Sequence, residues 1–289
     1  GKFVTVEIRQ LPAGLYFVAT PLGAARDITL RALDVLASAD VLAAEDTRTL
    51  RHLMQLHGIA VGDRPMIAYH DHNGAEVRPR LIRMMQEGKS VAYASEAGTP
   101  LVADPGYPLA RETVSEGIKV VPVPGPSAVT AALTVAGLPT DRFLFAGFPP
   151  AAAGARKSWM AEIARVPATL VIYESPKRIN RTLYELCEVA GGERQAAVCR
   201  ELTKRFEETL RGTLADLAAA TAERPPKGEI VLVVDRGREE ATEQDMETAL
   251  RAALEDMSVK DAAAAVAGAL GLPKRDVYQA ALRLDRGDD

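Results

Sequence analysis

From Leu15 onward, short unbroken apolar runs alternate with stretches whose apolar residues recur every three or four positions. The runs have the length of buried strands, and the recurrences mark helices with one apolar face. Strands are predicted at 15–20, 41–44, 66–70, 91–94 and 118–123, with helices at 28–38, 47–57, 73–86 and 109–116 between and after them. Asp27 stands where a cap for the first helix belongs, Gly58 where the second ends, and Asn73 with Glu76 has capping-box spacing. After the proline-glycine segment 124–128 the rhythm resumes. Strands follow at 143–146, 169–173, 196–199, 207–212 and 230–234, and helices at 129–136, 158–165, 179–189 and 214–221.

Strands alternating with helices predict an α/β class, each sheet covered by helices. The two cycles predict two α/β domains, 13–124 and 125–236, with a cleft between them and a leader at 1–12. Beyond 236 the pattern changes. Helices at 242–257, 260–270 and 274–284 form a small C-terminal helical region, and Ser258 with Asp261 has capping-box spacing. The last two helices, joined by Leu270-Gly271-Leu272-Pro273, resemble a helix-turn-helix.

Composition adds exclusions. The 289 residues carry 35 Lys and Arg against 39 Asp and Glu, a net charge of −4, so indiscriminate nucleic-acid coating is not expected. A local basic patch remains compatible with that balance. Two cysteines cannot build a disulfide framework, and His70 with His72 lacks an evident third ligand, so no metal site is expected. No apolar stretch approaches the roughly 20 residues of a membrane span, and a reducing cytoplasm is the expected location.

The chain contains neither G-x-x-x-x-G-K-[ST] nor a G-x-G-x-x-G after its first strand. Glycine and proline gather instead at strand ends, in TPLG (20–23), AGTP (97–100), DPGYP (104–108) and PGPSA (124–128). Open α/β sheets bind ligands there, because loops leave backbone N–H groups free and glycine permits close approach. Polar residues collect at the same ends: Glu45, Asp46 and Arg48, then 70–73, 173–178 and 200–208. Each has an ordinary reading, with Asp46 and Asn73 as helix caps and Arg178 as a solvated helix residue.

AEDTR, YHDHN, AGTPLVADPGYPL, VVPVPGPSA, GLPTDRF, YES and RELTK, in this order, resemble the tetrapyrrole methylase superfamily. More closely they are similar to the ribosomal RNA small subunit methyltransferase I family. That resemblance implies a homodimer that uses S-adenosyl-L-methionine, held in the cleft between two α/β domains. It implies methylation of the ribose 2′-hydroxyl of a decoding-centre cytidine in 16S rRNA, within the assembled small ribosomal subunit. Pro21, Ala97, Gly98, Thr99 and Asp104 would line the cofactor site from the first domain. Pro124, Gly125, Ser127, Ala128, Tyr173, Glu174, Ser175, Leu202, Gly228 and Glu229 would border it from the second. The chain departs from the family at Glu96, Ala24 and Lys177, where Asp, Asn and His are usual.

A base for the hydroxyl proton has four candidates, Glu45, Asp46, His72 and Asp104, and the sequence does not choose among them. Lys204 either acts as a catalytic cation or pairs with Glu201 or Glu207 at the surface. Cations for an RNA backbone are Arg48, Arg51, Arg78, Lys177, Arg178 and Arg181, with Arg80, Arg83 and Lys204 also available. A tetrapyrrole acceptor and a non-catalytic RNA-binding factor are the alternative readings.

Overall fold

The structure is a computed structural model that describes residues 6–237 and 241–287. The chain divides into two units, one formed by 1–164 with 168–236 and the other by 165–167 with 237–289. In the first unit the chain runs β1 (Gly14–Val18), α1 (Leu30–Ser38), β2 (Val41–Ala44), α2 (Thr47–Leu56), β3 (Met66–Ala68), α3 (Gly74–Gln86), β4 (Ser90–Ala94), α4 (Tyr107–Ser115) and β5 (Val120–Val123). It continues through α5 (Ala128–Ala136), β6 (Phe143–Gly147), α6 (Ala153–Ala164), β7 (Thr169–Glu174), α7 (Ile179–Ala190), β8 (Gln195–Arg200), β9 (Glu208–Thr213), α8 (Leu214–Glu223) and β10 (Ile230–Val234).

The first sheet has the order β3-β2-β4-β1-β5, all parallel. Alternate residues of its strands serve two cores. Leu15, Phe17, Ala43 and Tyr93 pack with Leu81, Ile82 and Leu109 on one face. Tyr16, Val18, Leu42 and Ala92 pack with Val35, Leu36 and Met54 on the other. Burial on both faces explains why these strands read as continuous apolar runs instead of alternating ones. The second sheet, β6-β7-β10-β8-β9, is mixed: only the β6–β7 pair is parallel. Val129, Ala132 and Leu133 of α5 pack against Val171, Ala197 and Val233 of its strands.

Two predicted caps are corrected. α1 starts at Leu30 because Thr29, not Asp27, accepts the Ala32 N–H at 3.0 Å. Asn73 makes no capping bond; its side chain accepts from the His70 N–H (2.8 Å) and donates to the Ala68 carbonyl (3.0 Å), fixing the loop before α3. α6 begins five residues earlier than predicted, and its Arg156 is buried.

In the second unit α9 (Glu243–Leu254), α10 (Val259–Leu270) and α11 (Lys274–Asp285) share a core of Leu250, Ala263, Val266, Val277 and Ala281. Thr242 and Asp245 form a complete capping box, and Ser258 accepts from the Asp261 N–H. Gly271, with φ of 65°, makes the left-handed turn between the last two helices. Among the described residues no helix is long and apolar enough to cross a membrane, and no group of three or more His, Cys, Asp or Glu is set to hold a metal ion.

Candidate cofactor cleft

β4, β1 and β5 are neighbours, so the loops leaving their carboxyl ends emerge side by side. The chain leaves β1 toward β2 and leaves β4 toward β5, in opposite directions across the sheet, which opens a crevice there. The three loops are stitched together. Thr20 and Gly98 exchange backbone hydrogen bonds of 3.0 and 2.9 Å, and Ser95 Oγ donates to the Gly98 carbonyl. Thr99 Oγ1 donates to the Pro126 carbonyl at 2.9 Å.

Gly98 has φ of 79°, and a Cβ there would sit 3.0 Å from the Leu22 side chain. Two residues with side chains, Leu101 (φ 76°) and Ala103 (φ 54°), also take the left-handed conformation. Such backbone costs about 1–3 kcal/mol per residue and clusters at ligand clamps. The stiff 95–108 segment is thus a fixed wall.

That wall bounds a cavity of about 410 Å³, within the roughly 300–1,000 Å³ common for small-molecule sites. Glu96, Ala97, Gly98, Thr99, Val102 and Ala103 line it from the β4 loop, Leu22 from the β1 loop, and Ser127 and Ala128 from the start of α5. The second sheet supplies Phe148, Tyr173 to Pro176, and Gly228 to Val231. Tyr173 stands edge-on to Phe145 and Phe148, with ring centroids 4.9 and 5.7 Å away. Burial first, and Glu229 second, push its hydroxyl up to about 12, so it remains a neutral donor.

Ten expected cofactor contacts therefore converge: Ala97, Gly98, Thr99, Ser127, Ala128, Tyr173, Glu174, Ser175, Gly228 and Glu229. Five lie outside the lining. Pro21 and Pro124 sit on the same loops, Gly125 packs against Ala19, and Leu202 is buried in the core of the second sheet. Asp104 faces away, accepting from the Tyr93 hydroxyl (3.0 Å) and the Gly106 N–H (2.8 Å). Glu174 lines the cavity, but its carboxylate turns inward: it accepts from Thr182 Oγ1 (2.6 Å) and from the Ser175 N–H (2.8 Å), with Arg156 at 3.9 Å. Phe148 was not anticipated, although it follows a strand end and Gly147, the same signal that marks the other loops. Ile230 and Val231 carried no sequence signal, because they read as ordinary strand residues.

The base candidates sit at the ends of β2, β3 and β4. Glu45 is exposed, but partial desolvation raises its carboxyl above the ordinary value, and the neighbouring charges of Glu96, Asp104 and Asp71 raise it further against the opposing effect of His70. Asp46 is occupied: it caps α2 through the Arg48 N–H (2.9 Å) and holds the Arg48 guanidinium at 3.0 Å, which lowers its pKa. Asp104 is raised, chiefly by burial. His72 is exposed, its N–H donating to His70 Nδ1 at 3.2 Å.

Lys204 takes the surface-pair geometry with Glu201 (3.0 Å) and adds Glu229 of the cavity wall (3.4 Å). Partial burial pulls its pKa down, but the bonds to Glu201 and Glu229 outweigh that and raise it overall. Its stem covers Gly23, where a Cβ would lie 2.3 Å from Lys204 Cγ. Among the expected RNA cations, Arg48 is held by Asp46, Arg78 by Glu112 (3.3 Å) and Arg181 by Glu185 (2.9 Å). Arg51, Lys177 and Arg178 are exposed.

Comparison with known proteins identifies the family and the fold. Residues 14–218 match the Tetrapyrrole (Corrin/Porphyrin) Methylases, and residues 240–285 match the RsmI C-terminal HTH domain. A Mesorhizobium japonicum protein named ribosomal RNA small subunit methyltransferase I is 48% identical over 281 residues, covering 96% of this chain and 95% of its own. Its Vibrio cholerae namesake is 44% identical over 270 residues, covering 92% and 93%. The solved uroporphyrin-III C-methyltransferase of Thermus thermophilus, complexed with S-adenyl homocysteine, shares the fold with a TM-score of 0.54 at 21% identity, over 77% of this chain and 97% of its own.

Proposed function

Because the chain belongs to the tetrapyrrole methylases and, within them, to the ribosomal RNA small subunit methyltransferase I family, we propose that it methylates 16S rRNA. The acceptor is the ribose 2′-hydroxyl of a decoding-centre cytidine, and S-adenosyl-L-methionine is the donor. The enzyme acts in the cytoplasm, as a homodimer, on the assembled small subunit. The observation that carries this reading is coverage. The Mesorhizobium relative aligns over 96% of the chain, whereas the general methylase match ends at 218.

The cavity suits the donor. Its apolar side chains (Leu22, Val102, Phe148, Ile230) can enclose a nucleoside, and its strand-end loops offer backbone polar groups to an amino-acid moiety. At Gly98 a Cβ would meet the Leu22 side chain and the Pro126 carbonyl, so this stretch of the cavity wall has room only for bare backbone. When bound, the sulfonium supplies an electrophilic methyl group for in-line displacement. The chain's own part is to position the hydroxyl, to exclude water and to accept a proton; positioning alone can supply up to about 7–11 kcal/mol.

Glu45 is the base we propose: it is exposed at the end of β2, near Glu96 of the cavity wall, whereas Asp46 is bound to its cap and its arginine and Asp104 to Tyr93 and Gly106. Its raised pKa makes it a stronger proton acceptor than an ordinary carboxylate, while Asp46 is weakened by its cap and its arginine. A positioned base adds about 10²–10⁴-fold. Lys204, kept protonated by two glutamates, is a positioning residue that ties the β8–β9 loop to the cavity wall.

The test is nucleoside analysis of 16S rRNA from small subunits incubated with enzyme and donor. The reading predicts 2′-O-methylcytidine as the new product. A methyl group found only on a base would overturn the ribose assignment.

A further inference from the structure

We propose that the loop joining β8 to β9 presents Phe206 as a stacking platform for an unpaired base of the acceptor RNA, a role that rests on the rRNA-methylating reading above. A single exposed phenylalanine is ordinary on a protein surface. Phe206 differs from that case in three respects.

Its backbone is fixed. Glu201 (φ 53°) and Thr203 (φ 67°) both take left-handed conformations. The Thr203 N–H donates to Glu207 Oε1 at 2.7 Å, and the Phe206 carbonyl accepts from the Arg200 guanidinium at 2.9 Å. The Ala24 N–H donates to Thr203 Oγ1 at 3.2 Å, so the loop is also tied to the β1 loop. An aromatic ring on such a frame loses little entropy when a base covers it.

A cation stands beside it. Glu201 and Glu229 share Lys204, Glu208 lies 3.6 Å from Arg200, and the Glu207 carboxylate is oriented by the Thr203 N–H, which leaves Arg205 as the cation nearest the ring. Arg205 stays exposed with its guanidinium 5.3 Å from the Phe206 centroid, and Phe206 as a residue is 67% exposed. An aromatic face beside an arginine is how unpaired RNA bases are held next to their phosphates.

Its place is right for an acceptor strand. The segment 224–229 has two sides. Gly228 and Glu229 line the proposed cofactor cavity, and Arg224 and Lys227, with Arg200 and the carboxylates of Glu208 and Glu223, line a groove of about 730 Å³. A strand crossing from cavity to groove would set phosphates on Arg205, Arg224 and Lys227 and one base on Phe206. RNA fits this combination of an aromatic face and cations better than a protein partner, which would need a wider apolar surface.

The experiment uses the full-length protein and a short unstructured oligoribonucleotide of small-subunit rRNA sequence carrying 2-aminopurine, whose fluorescence is quenched by stacking. Wild type, Phe206→Ala, Phe206→Leu and Phe206→Trp are titrated, with cofactor affinity and sedimentation measured for each. The expected result is quenching by wild type and Phe206→Trp. Phe206→Ala and Phe206→Leu should lose it and weaken RNA binding at least fivefold, with cofactor affinity and oligomeric state unchanged. Wild-type affinity and quenching in Phe206→Leu would overturn the proposal, and so would a change of oligomeric state in Phe206→Ala, which would make the ring a protomer contact. If the wild-type protein neither binds this RNA nor methylates small subunits, the rRNA reading itself falls with it.

Discussion

At Gly98 the backbone has φ of 79° and shares hydrogen bonds with Thr20, so a side chain there meets both strain and Leu22. Gly98→Val is expected to lower affinity for S-adenosylhomocysteine at least tenfold in calorimetry, while far-UV circular dichroism stays at wild type. Unchanged affinity in the folded variant would remove the cavity from this loop. Glu45 gives a pH prediction. It must be ionised to accept a proton, and partial desolvation followed by Glu96 raises its pKa, so activity should climb with pH through a range above the ordinary carboxylate one. Glu96→Gln removes one raising charge and should move that acid limb of kcat to lower pH; Glu45→Gln should abolish the limb and cost about 10²-fold or more. A limb that stays in place in both variants would exclude Glu45 as the base. Lys204→Ala should lower methyl transfer at least tenfold, about 1.4 kcal/mol in barrier, through KM as well as kcat. Wild-type activity in that variant would return Lys204 to the surface pair. Residues such as Gly98 were legible because backbone constraints leave a mark in the residue type. The direction of a side chain leaves none: Asp104 and Glu174, placed at the cofactor by the family resemblance, turn toward Tyr93 and Thr182.

Among the elements, α6 and α7 meet through charge. Arg156, only 1% exposed, donates to Thr182 Oγ1 (2.8 Å) and pairs with Glu185 (3.1 Å) beside Glu174. Removing one partner of such a buried set leaves the others uncompensated, at a cost of about 3–5 kcal/mol. Arg156→Ala should therefore lower the denaturation midpoint by that equivalent, and it should disturb the cavity wall, because Glu174 also holds the Ser175 N–H. A loss below about 1 kcal/mol would show the network to be dispensable. The sequence pattern located β2 and β10 to the residue, since apolar runs between turn residues have sharp edges. Helix starts were less legible. Thr29, rather than Asp27, caps α1, and the alanine- and glycine-rich start of α6 offers no apolar stripe to read. The register shift between Phe145 and Gly147, just before the cavity residue Phe148, depends on pairing with β7 and could not be read locally.

Across the whole molecule, the alternation of runs and recurrences was enough to reveal α/β layers and a helical tail, because strand burial on both faces and helix amphipathicity are properties of the chain itself. Sheet order is not: that β4 lies between β2 and β1 follows from crossovers, and it is this order that brings the glycine-proline loops together. Net charge also conceals function. With −4 overall, RNA affinity must come from local cations, and it should fall with salt through counterion release. Replacing the exposed Lys177 and Arg178 by Ala should reduce the slope of log K against log salt by about 1.4, from about 0.7 per single-strand phosphate contact, without changing cofactor affinity. An unchanged slope would place the RNA elsewhere.

The measurement that bears most directly on the central claim is transfer of a tritiated methyl group from S-adenosylmethionine by the purified protein. Small ribosomal subunits, free 16S rRNA and uroporphyrinogen would be offered in parallel. The account predicts label in the 16S rRNA of intact subunits and none in the tetrapyrrole; label in the tetrapyrrole alone, or in none of the three while the cofactor binds, would contradict it.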